Sequence, residues 1–328
     1  MVTVRDLARM TGVSTSTVSR ALTHPDKVAP AKREHIQRVA AELGYQPNLA
    51  ARGLITGKTG NIGLVVPDIE NPVFAAVVKG AQSRARRNDY AVFIADTEED
   101  ARLESEFVSY LAQQVDGLVL FSSRMSDEAL HQHASRIPIV LVNRESEGMH
   151  ALTVDNVDGM RQALMHLHAL GHTCVAYVSG PRDSWSDKAR TRGLRGAEAE
   201  LPGIEILEMG HFAPVFAGGV AAADRAIASG ATAVVCFNDL IALGVLSRMT
   251  SRGIAVPGDV SIIGFDDIPA ATLVSPALTT LAVPHRQLGK EAIDMLITEI
   301  IEPSVPKATR TLSVDLIVRG SSGAIDRR

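Results

Sequence analysis

The chain lacks the features of a membrane protein, a secreted protein or a disulfide-stabilised domain. Its 328 residues include two cysteines, Cys174 and Cys236, which form no CxxC pair and lie in apolar runs. We therefore expect buried thiols in a reducing compartment. The opening residues MVTVRDLARM hold no apolar segment of signal-peptide type, and no run of about 18 apolar residues occurs. These absences predict a cytoplasmic protein with no membrane partner.

Motifs of catalysis and metal binding are also missing. The sequence has no GxSxG, no Walker loop and no HExxH. Ser184, His172 and Asp183 lie too close in sequence to be accepted as a catalytic triad. His166, His168 and His172 do not share one face of a helix, so they predict no metal site. We expect neither an enzyme nor a cofactor.

The charge is distributed unevenly along the chain. The net charge is −4, but residues 1–58 carry nine Lys or Arg against four Asp or Glu, which gives +5 there and leaves −9 for the remainder. A basic N-terminal module on an acidic body suits phosphate binding by one end of the chain. Ordinary fluctuation of composition is the alternative, so a motif is needed to support this interpretation.

The first residues have the pattern of a helix-turn-helix. Thr3 and Asp6 form a capping-box pattern at the start of one helix. Gly12 ends that helix in a tight turn, and Ser14 can cap a second helix over 15–22. On the second helix we expect these exposed polar side chains: Thr15, Ser16, Ser19 and Arg20. Taken alone, the pattern would also suit two helices of an ordinary core.

A third helix and a weak segment follow. Pro30 suits the first position of a helix that ends near Leu43, before Gly44. The next residues, up to Leu54, are too few to form a stable helix alone. Such a segment could fold only against a partner, with Leu54 wedged between base steps in a minor groove. A plain linker leucine is the alternative.

From residue 61 onward, short apolar runs alternate with helical stretches, as expected of βαβ units. The runs are rich in Val, Ile and Leu, which is typical of parallel strands buried on both faces. Eight such units are natural for two lobes, so we predict an α/β body with doubly wound parallel sheets. The predicted strands are 61–67, 90–96, 116–121, 138–143, 174–179, 204–209, 233–237 and 260–265.

Ligands of open α/β sheets bind beyond the carboxyl ends of the strands, so the polar and aromatic residues there are the candidates. Trp185, Phe212 and Phe74 offer flat faces for a sugar or a heterocycle, and Arg190 is a bidentate donor. A surface-packing role is the alternative for Trp185. The predicted effector site is Asn71, Phe74, Asn143, Ser184, Trp185, Arg190, Phe212, Asn238 and Asp266.

Several motifs, taken in order, resemble the lac-repressor/galactose-repressor family of bacterial regulators. The N-terminal segments VRDLARMTGVSTSTVSRAL (4–22) and GYQPNLAARGL (44–54) resemble the headpiece of that family. The body contributes NIGLVVPDIENPVF (61–74), FND (237–239) and VPGDVSIIGFDD (256–267). One departure is Ala29 before Pro30, where the family usually has a hydroxyl cap. Each motif is weak alone, whereas the ordered series is specific.

The resemblance implies roles for individual residues. Thr15, Ser16 and Arg20 occupy positions that read bases, and Thr17 and Ser19 occupy positions that contact phosphates. Asn48, Ala51 and Leu54 match the hinge helix, with Leu54 as the intercalating wedge. The full predicted DNA-binding set is Thr3, Ser14, Thr15, Ser16, Thr17, Ser19, Arg20, Asn48, Ala51 and Leu54. Asn143, Arg190, Phe212, Asn238 and Asp266 match effector-contacting positions.

The expected organisation is a helix-turn-helix domain over 1–46, a hinge over 47–58, and an effector and dimerisation domain over 59–328. Within that domain we predict an N-lobe (about 59–156 and 284–312) and a C-lobe (about 157–283 and 313–328). The C-terminal tail has no heptads, so a homodimer is favoured over a coiled-coil tetramer. Ala75, Val78 and Ala81 suit either a dimer seam or core packing.

These features predict a transcriptional repressor that binds double-stranded, pseudo-palindromic operator DNA as a dimer. A small-molecule effector, expected to be a sugar or a sugar derivative, would control it allosterically. The alternative is a solute-binding receptor of a transport system, which the two-lobe body alone would suit. The basic N-terminal module and the missing signal peptide favour the repressor.

Overall fold

A computed structural model describes residues 2–23, 25–45 and 58–325 of the chain. The chain divides into two compact units, Met1–Gly60 and Asn61–Arg328. The hinge residues predicted to enter the minor groove, Asn48, Ala51 and Leu54, lie outside the described residues.

The N-terminal unit is a small helical domain built around five buried apolar residues. Its helices are α1 (Val4–Thr11), α2 (Thr15–Thr23) and α3 (Pro30–Glu42), with a 3-10 turn at Pro25–Lys27. The core consists of Leu7, Val18, Ala21, Ile36 and Ala40. The capping box of Thr3 and Asp6 is confirmed, and Ala29 gives α3 no side-chain cap.

The larger unit contains two six-stranded sheets in the part of the chain that the structure describes. The strands are β1 (Asn61–Val66), β2 (Ala91–Asp96), β3 (Gly117–Phe121), β4 (Ile139–Val142), β5 (His150–Val154), β6 (Cys174–Ser179), β7 (Glu205–His211), β8 (Ala233–Cys236), β9 (Ser261–Asp266), β10 (Thr279–Ala282), β11 (Thr309–Leu312) and β12 (Asp315–Ile317). One sheet has the order β11-β5-β4-β3-β1-β2 and forms the N-lobe; the other has the order β12-β10-β9-β8-β6-β7 and forms the C-lobe. The finer lobe boundaries remain predictions.

All eight predicted strands are present, and the predicted doubly wound parallel architecture is confirmed. Of the pairings between described strands, that of β12 with β10 alone is antiparallel.

The helices of this unit are α4 (Pro72–Arg87), α5 (Ala101–Leu111), α6 (Asp127–Ala134), α7 (Asn156–Ala169), α8 (Trp185–Glu200), α9 (Phe216–Ala228), α10 (Asp239–Ser251), α11 (Ala270–Leu273) and α12 (His285–Ile301).

The chain crosses between the two sheets three times. It leaves the N-lobe sheet after β5, returns after β10 through α12, and leaves again between β11 and β12. Both lobes are therefore built from discontinuous segments, and the carboxyl ends of β1 and β6 face the space between the lobes.

Helices α4 and α12 pack unusually closely in the N-lobe. A Cβ atom at Gly80 would collide with the carbonyl oxygen of Arg286, and one at Gly289 would collide with that of Val77. Val78 and Ala81 are buried in the core of the unit, so the dimer-seam interpretation of these two residues is wrong and core packing is correct. The absent side chains let the two backbones touch.

None of the helices in the described part of the chain combines the length and the apolar composition that crossing a bilayer requires.

Candidate functional site

The exposed face of α2 is polar, as predicted. Ser14, Thr15, Ser16 and Arg20 are exposed. Ser14 Oγ accepts a hydrogen bond from the Thr17 main-chain N–H at 3.2 Å, and it lies 2.8 Å from both Ser16 Oγ and Thr17 Oγ1. The helix therefore begins with small hydroxyl side chains that allow close approach to a base edge or a phosphate.

Two predicted DNA contacts are constrained within the domain, Ser19 by partial burial and Thr3 by a hydrogen bond. Ser19 is half-buried, so the expectation that it is exposed was wrong: it lies directly beside the buried Val18. Thr3 is exposed, but its hydroxyl donates to Asp6 Oδ2 at 2.7 Å. That hydrogen bond holds the pKa of Asp6 below its usual value. Thr3 thus fixes the start of α1, whatever else it contacts.

Arg190, on α8, is the centre of a buried polar group beyond the carboxyl ends of β8 and β9. Its Nε donates to Asn156 Oδ1 at 2.9 Å, and its guanidinium also donates to the main-chain oxygen of Phe237. The guanidinium carbon lies 3.6 Å from the centroid of the Phe265 ring. Burial lowers the pKa of Arg190 from its usual value, so the surrounding acceptors and aromatic faces must stabilise its charge.

Asp266 ends β9 beside this arginine. Its Oδ1 lies 4.0 Å from Arg190 Nη2, longer than a hydrogen bond. Burial raises the pKa of Asp266, and the residue has a positive φ of 115°. A carboxylate and a guanidinium held just out of contact leave donor and acceptor capacity for a ligand hydroxyl between them.

Asn143 has capacity of the same kind on the N-lobe side. The residue follows β4 with a positive φ of 55°, and its Oδ1 is buried without a hydrogen-bond partner among the described residues. Ser186, on α8 of the C-lobe, donates to the Asn143 main-chain oxygen at 3.4 Å. The two lobes therefore meet where Asn143 presents a free acceptor.

Three predicted effector residues cap helices. Asn71 caps α4, Ser184 caps α8 and Asn238 caps α10, each accepting a main-chain N–H through its side-chain oxygen. All three are at least nine-tenths buried. Phe74 is also buried and belongs to the core. The structure accounts for these four residues through packing and capping, and their contact with a ligand stays a prediction.

A cavity of about 690 Å³ lies between the lobes, which we call the cleft. Phe212 is the one predicted effector residue in its lining among the described residues. Trp185, which is half-buried, does not line the cleft, and neither do the buried residues Arg190 and Asp266. The cleft is lined by the loops after β1, β2, β6 and β7, namely by Pro67, Asp68, Ile69, Glu70, Asp96, Glu98, Glu99, Pro181, His211, Phe212, Ala213, Pro214 and Val215.

The lining of the cleft is acidic. It has five carboxylates against the single base His211 among its described residues. Three of the carboxylates are engaged: Glu99 pairs with Arg124 at 2.6 Å, Asp96 accepts the Ile69 main-chain N–H at 2.9 Å, and Asp68 accepts the Glu70 main-chain N–H at 2.8 Å. Sequence reasoning missed Asp96, Glu98 and Glu99, although four of the five residues 96–100 at the end of β2 are acidic. The field in the cleft opposes an anionic ligand.

The three histidines considered as metal ligands point to different partners. Nε2 of His166 lies 3.0 Å from Ser322 Oγ, and Nε2 of His168 lies 3.2 Å from the carbonyl oxygen of Pro202. His172 lies between Thr232 and Ser261. Across the described part of the chain, no group of three potential ligands is placed to hold a metal ion.

Two family patterns match the chain. Bacterial regulatory proteins of the lacI family match residues 3–48, and the periplasmic binding protein-like domain matches residues 164–322. The first match covers the helix-turn-helix, and the second covers most of the C-lobe.

Curated relatives match nearly the whole chain. The HTH-type transcriptional repressor CytR of Escherichia coli (strain K12) is 32% identical, over 98% of this chain and 97% of the relative. The HTH-type transcriptional repressor PurR of Vibrio parahaemolyticus is 35% identical, over 98% of each chain. Because these matches include the headpiece, they favour a DNA-binding repressor over a solute-binding receptor.

Solved structures agree with this assignment. A lac repressor dimer bound to operator and the anti-inducer ONPF is similar with a TM-score of 0.88 and 26% identity, covering 98% of this chain and 99% of that one. A complex of the transcriptional regulator CelR with cellobiose gives 0.74 and 28%, covering 98% and 100%. The chain belongs to the lacI family of bacterial regulatory proteins, and it is an effector-controlled transcriptional repressor rather than an enzyme.

Proposed function

We propose that this repressor acts in the cytoplasm as a homodimer on a pseudo-palindromic operator, and that an uncharged polyhydroxylated ligand in the cleft controls it. The observation that carries the choice of ligand is the acidic lining of a cleft of about 690 Å³. The volume suits a sugar or a nucleoside.

The exposed polar face of α2 supports the DNA-binding part of the proposal. Thr15, Ser16 and Arg20 would read bases in the major groove, with Thr17 and Ser19 on phosphates. The hinge residues Asn48, Ala51 and Leu54 would enter the minor groove between the two headpieces. The similarity to a lac repressor dimer bound to operator supports operator binding by a dimer.

Exposed apolar side chains in the larger unit support a dimer. Phe93 and Ile94 are 41% and 46% exposed on β2, which is an edge strand of the N-lobe sheet. Leu273, on the short helix α11 of the C-lobe, is 83% exposed. Apolar residues of this size on both lobes suit a two-fold interface that runs along the unit.

The charge of the cleft selects among ligands. A phosphate or a sugar acid would face the carboxylates of Asp68, Glu70 and Glu98, whereas neutral hydroxyls can donate to them. Phe212 adds an aromatic face from the C-lobe. The CelR complex with cellobiose is a related regulator with a neutral sugar, which supports a carbohydrate here.

Control would follow from differential affinity. A ligand that contacts loops of both lobes binds one relative arrangement of the lobes better than another, and operator DNA does the same through the dimer. The ligand and the operator therefore change each other's affinity by the same factor.

Thermal-shift and fluorescence-anisotropy titrations of the full-length protein test the proposal. The DNA is the promoter region of its own gene, and the ligands are neutral sugars and nucleosides, each sugar paired with its acid, such as galactose with galacturonate. We expect at least one neutral ligand to raise Tm and change operator affinity, and its paired acid to do neither. Tighter binding of the acid would contradict the proposed ligand class.

Arg20→Ala separates the two activities. The exposed guanidinium is far along the sequence from the cleft residues, so we expect loss of operator binding with an unchanged ligand-induced Tm shift. Lys32→Ala, which removes an exposed charge from α3, is the matched control and should weaken operator binding much less. Equal effects of the two variants would show that α2 does not read the operator.

A further inference from the structure

A second concave site lies on the N-lobe between α4 and α12. Its cavity of about 440 Å³, which we call the basic groove, is separate from the cleft and shares no residue with its lining. Four cationic side chains and two neutral polar ones surround it, with no carboxylate in the lining. The residues are Lys79, Gly80, Gln82, Ser83, Arg86, Arg286 and Lys290.

The sequence spacing places these groups on two facing helix surfaces. Lys79 and Arg86 are seven residues apart on α4, which is two turns and about 10 Å of rise. Arg286 and Lys290 are four residues apart on α12, hence neighbours on one face. All four are exposed to solvent, so an incoming ligand can reach them.

The floor of the groove is closed by backbone. Because Gly80 and Gly289 let α4 and α12 touch, the distance between the two cationic faces is set by main-chain contact rather than by adaptable side chains. The groove is therefore preformed, which lowers the entropy cost of binding.

Other polar side chains on the same two helices are paired with each other, which makes the groove distinctive. Arg84 of α4 contacts Asp294 of α12 at 2.5 Å, and Gln287 donates to Glu291 at 2.8 Å. By contrast, no ion pair neutralises Lys79, Arg86, Arg286 or Lys290 within the described ranges 2–23, 25–45 and 58–325. Four like charges around one concavity repel each other until a counter-charge enters.

We propose that the basic groove binds a small polyphosphate-bearing anion, of the class of nucleoside diphosphates and triphosphates. Arg86 and Arg286 can bind phosphate oxygens bidentately, and Lys79 and Lys290 add point charges. Gln82 and Ser83 add neutral donors. The span of about two helical turns exceeds a single phosphate and fits two or three linked ones. A concave floor receives a compact ligand better than the convex backbone of a DNA duplex.

The position of the groove links it to the cleft. Helix α4 starts at the loop that lines the cleft, where Asn71 caps it, and α12 starts directly after the crossing that leaves β10. An anion that bridges the two helices therefore ties the cleft loop to one of the lobe crossings. This site would report phosphorylated metabolites to the repressor independently of the ligand in the cleft.

Isothermal titration calorimetry of the full-length protein at low ionic strength tests the proposal, with inorganic tripolyphosphate and pyrophosphate as probes. The test variant is Arg286→Gln with Lys290→Gln. The matched control is Arg102→Gln, an exposed charge on α5 of the same lobe. We expect saturable binding to the wild type, affinity reduced about tenfold or more in the double variant, and an unchanged affinity in the control.

Other outcomes would overturn the assignment. Equal losses in the double variant and in Arg102→Gln would mean diffuse charge attraction rather than a site. Absence of tripolyphosphate binding to the wild type would remove the site altogether. If the double variant kept its tripolyphosphate affinity but lost operator affinity, the groove would be a DNA backbone contact instead. None of these results bears on the neutral ligand of the cleft, so the two proposals can fail separately.

Discussion

The cleft between the lobes and the basic groove on the N-lobe are two concavities of opposite charge. Helix α4 links them: its capping residue Asn71 follows the cleft loop 67–70, and its last two turns, up to Arg86, line the groove. The cleft is lined by loops that follow strands, whereas the groove is lined by helix faces. This fold therefore provides two kinds of pocket, and a few surface residues give each pocket its charge.

The largest expected effect is on the stability of the C-lobe and leaves the basic groove intact. Arg190→Gln removes a buried guanidinium and leaves the Phe237 carbonyl and the Asn156 side chain without their hydrogen-bond donor. We expect a loss of about 3 kcal/mol in the free energy of unfolding, with tripolyphosphate binding retained in the folded fraction. Urea denaturation followed by circular dichroism measures the first effect.

Arg192→Gln is the matched control for that variant. It lies two residues further along α8 and is exposed, so its stability should stay within about 0.5 kcal/mol of the wild type. A similar loss in both variants would mean that the buried contacts of Arg190 are not what stabilises the C-lobe.

An intermediate effect should be confined to the groove. In Gly80→Ala the new methyl group meets the Arg286 carbonyl oxygen, so α4 and α12 must move apart at a cost of about 2 kcal/mol. We expect weaker tripolyphosphate binding and an unchanged response to the neutral ligand. Calorimetry and thermal shift on the same preparation measure both.

Gly196→Ala provides the comparison. A Cβ atom at this position of α8 meets open space, so alanine should stabilise the helix by up to about 1 kcal/mol. Should Gly80→Ala behave in the same way, the close contact between α4 and α12 would not define the groove.

The smallest effect concerns selectivity of the cleft. Glu98→Gln removes one exposed carboxylate from the lining, so binding of a sugar acid relative to its neutral sugar should improve about threefold. Competition binding with galactose and galacturonate measures the ratio. Glu106→Gln, an exposed acid on α5 outside the cleft, should leave it unchanged, and an equal change there would indicate a general charge effect.

Most of the fold could be predicted because the central strands are continuous apolar runs. The four strands that were missed, β5, β10, β11 and β12, are short and carry polar residues such as His150, Thr309 and Arg310. They form because a neighbouring strand offers hydrogen bonds, as β5 does for β11. That dependence on tertiary pairing leaves no periodic signal in the sequence.

The site was less predictable, because the same residue types serve as ligand contacts and as helix caps. Asn71, Ser184 and Asn238 each follow a strand and begin a helix, so the pattern alone could not separate the two roles. The acidic lining could have been predicted from the sequence. Ligands bind beyond the carboxyl ends of the strands, and Glu98 and Glu99 lie just after β2. His211 was hidden because β7 runs two residues past its predicted end.

The three crossings between the lobes have a mechanical consequence. Three connections at 154–156, 282–285 and 312–315 act like three leaves of a flexure joint, which bends about a common axis but resists sliding and twisting. Motion between the lobes is then reduced to one angle. A ligand in the proposed cleft site would need only to set that angle, and the size of the molecule between the loops would become the quantity to which the repressor responds.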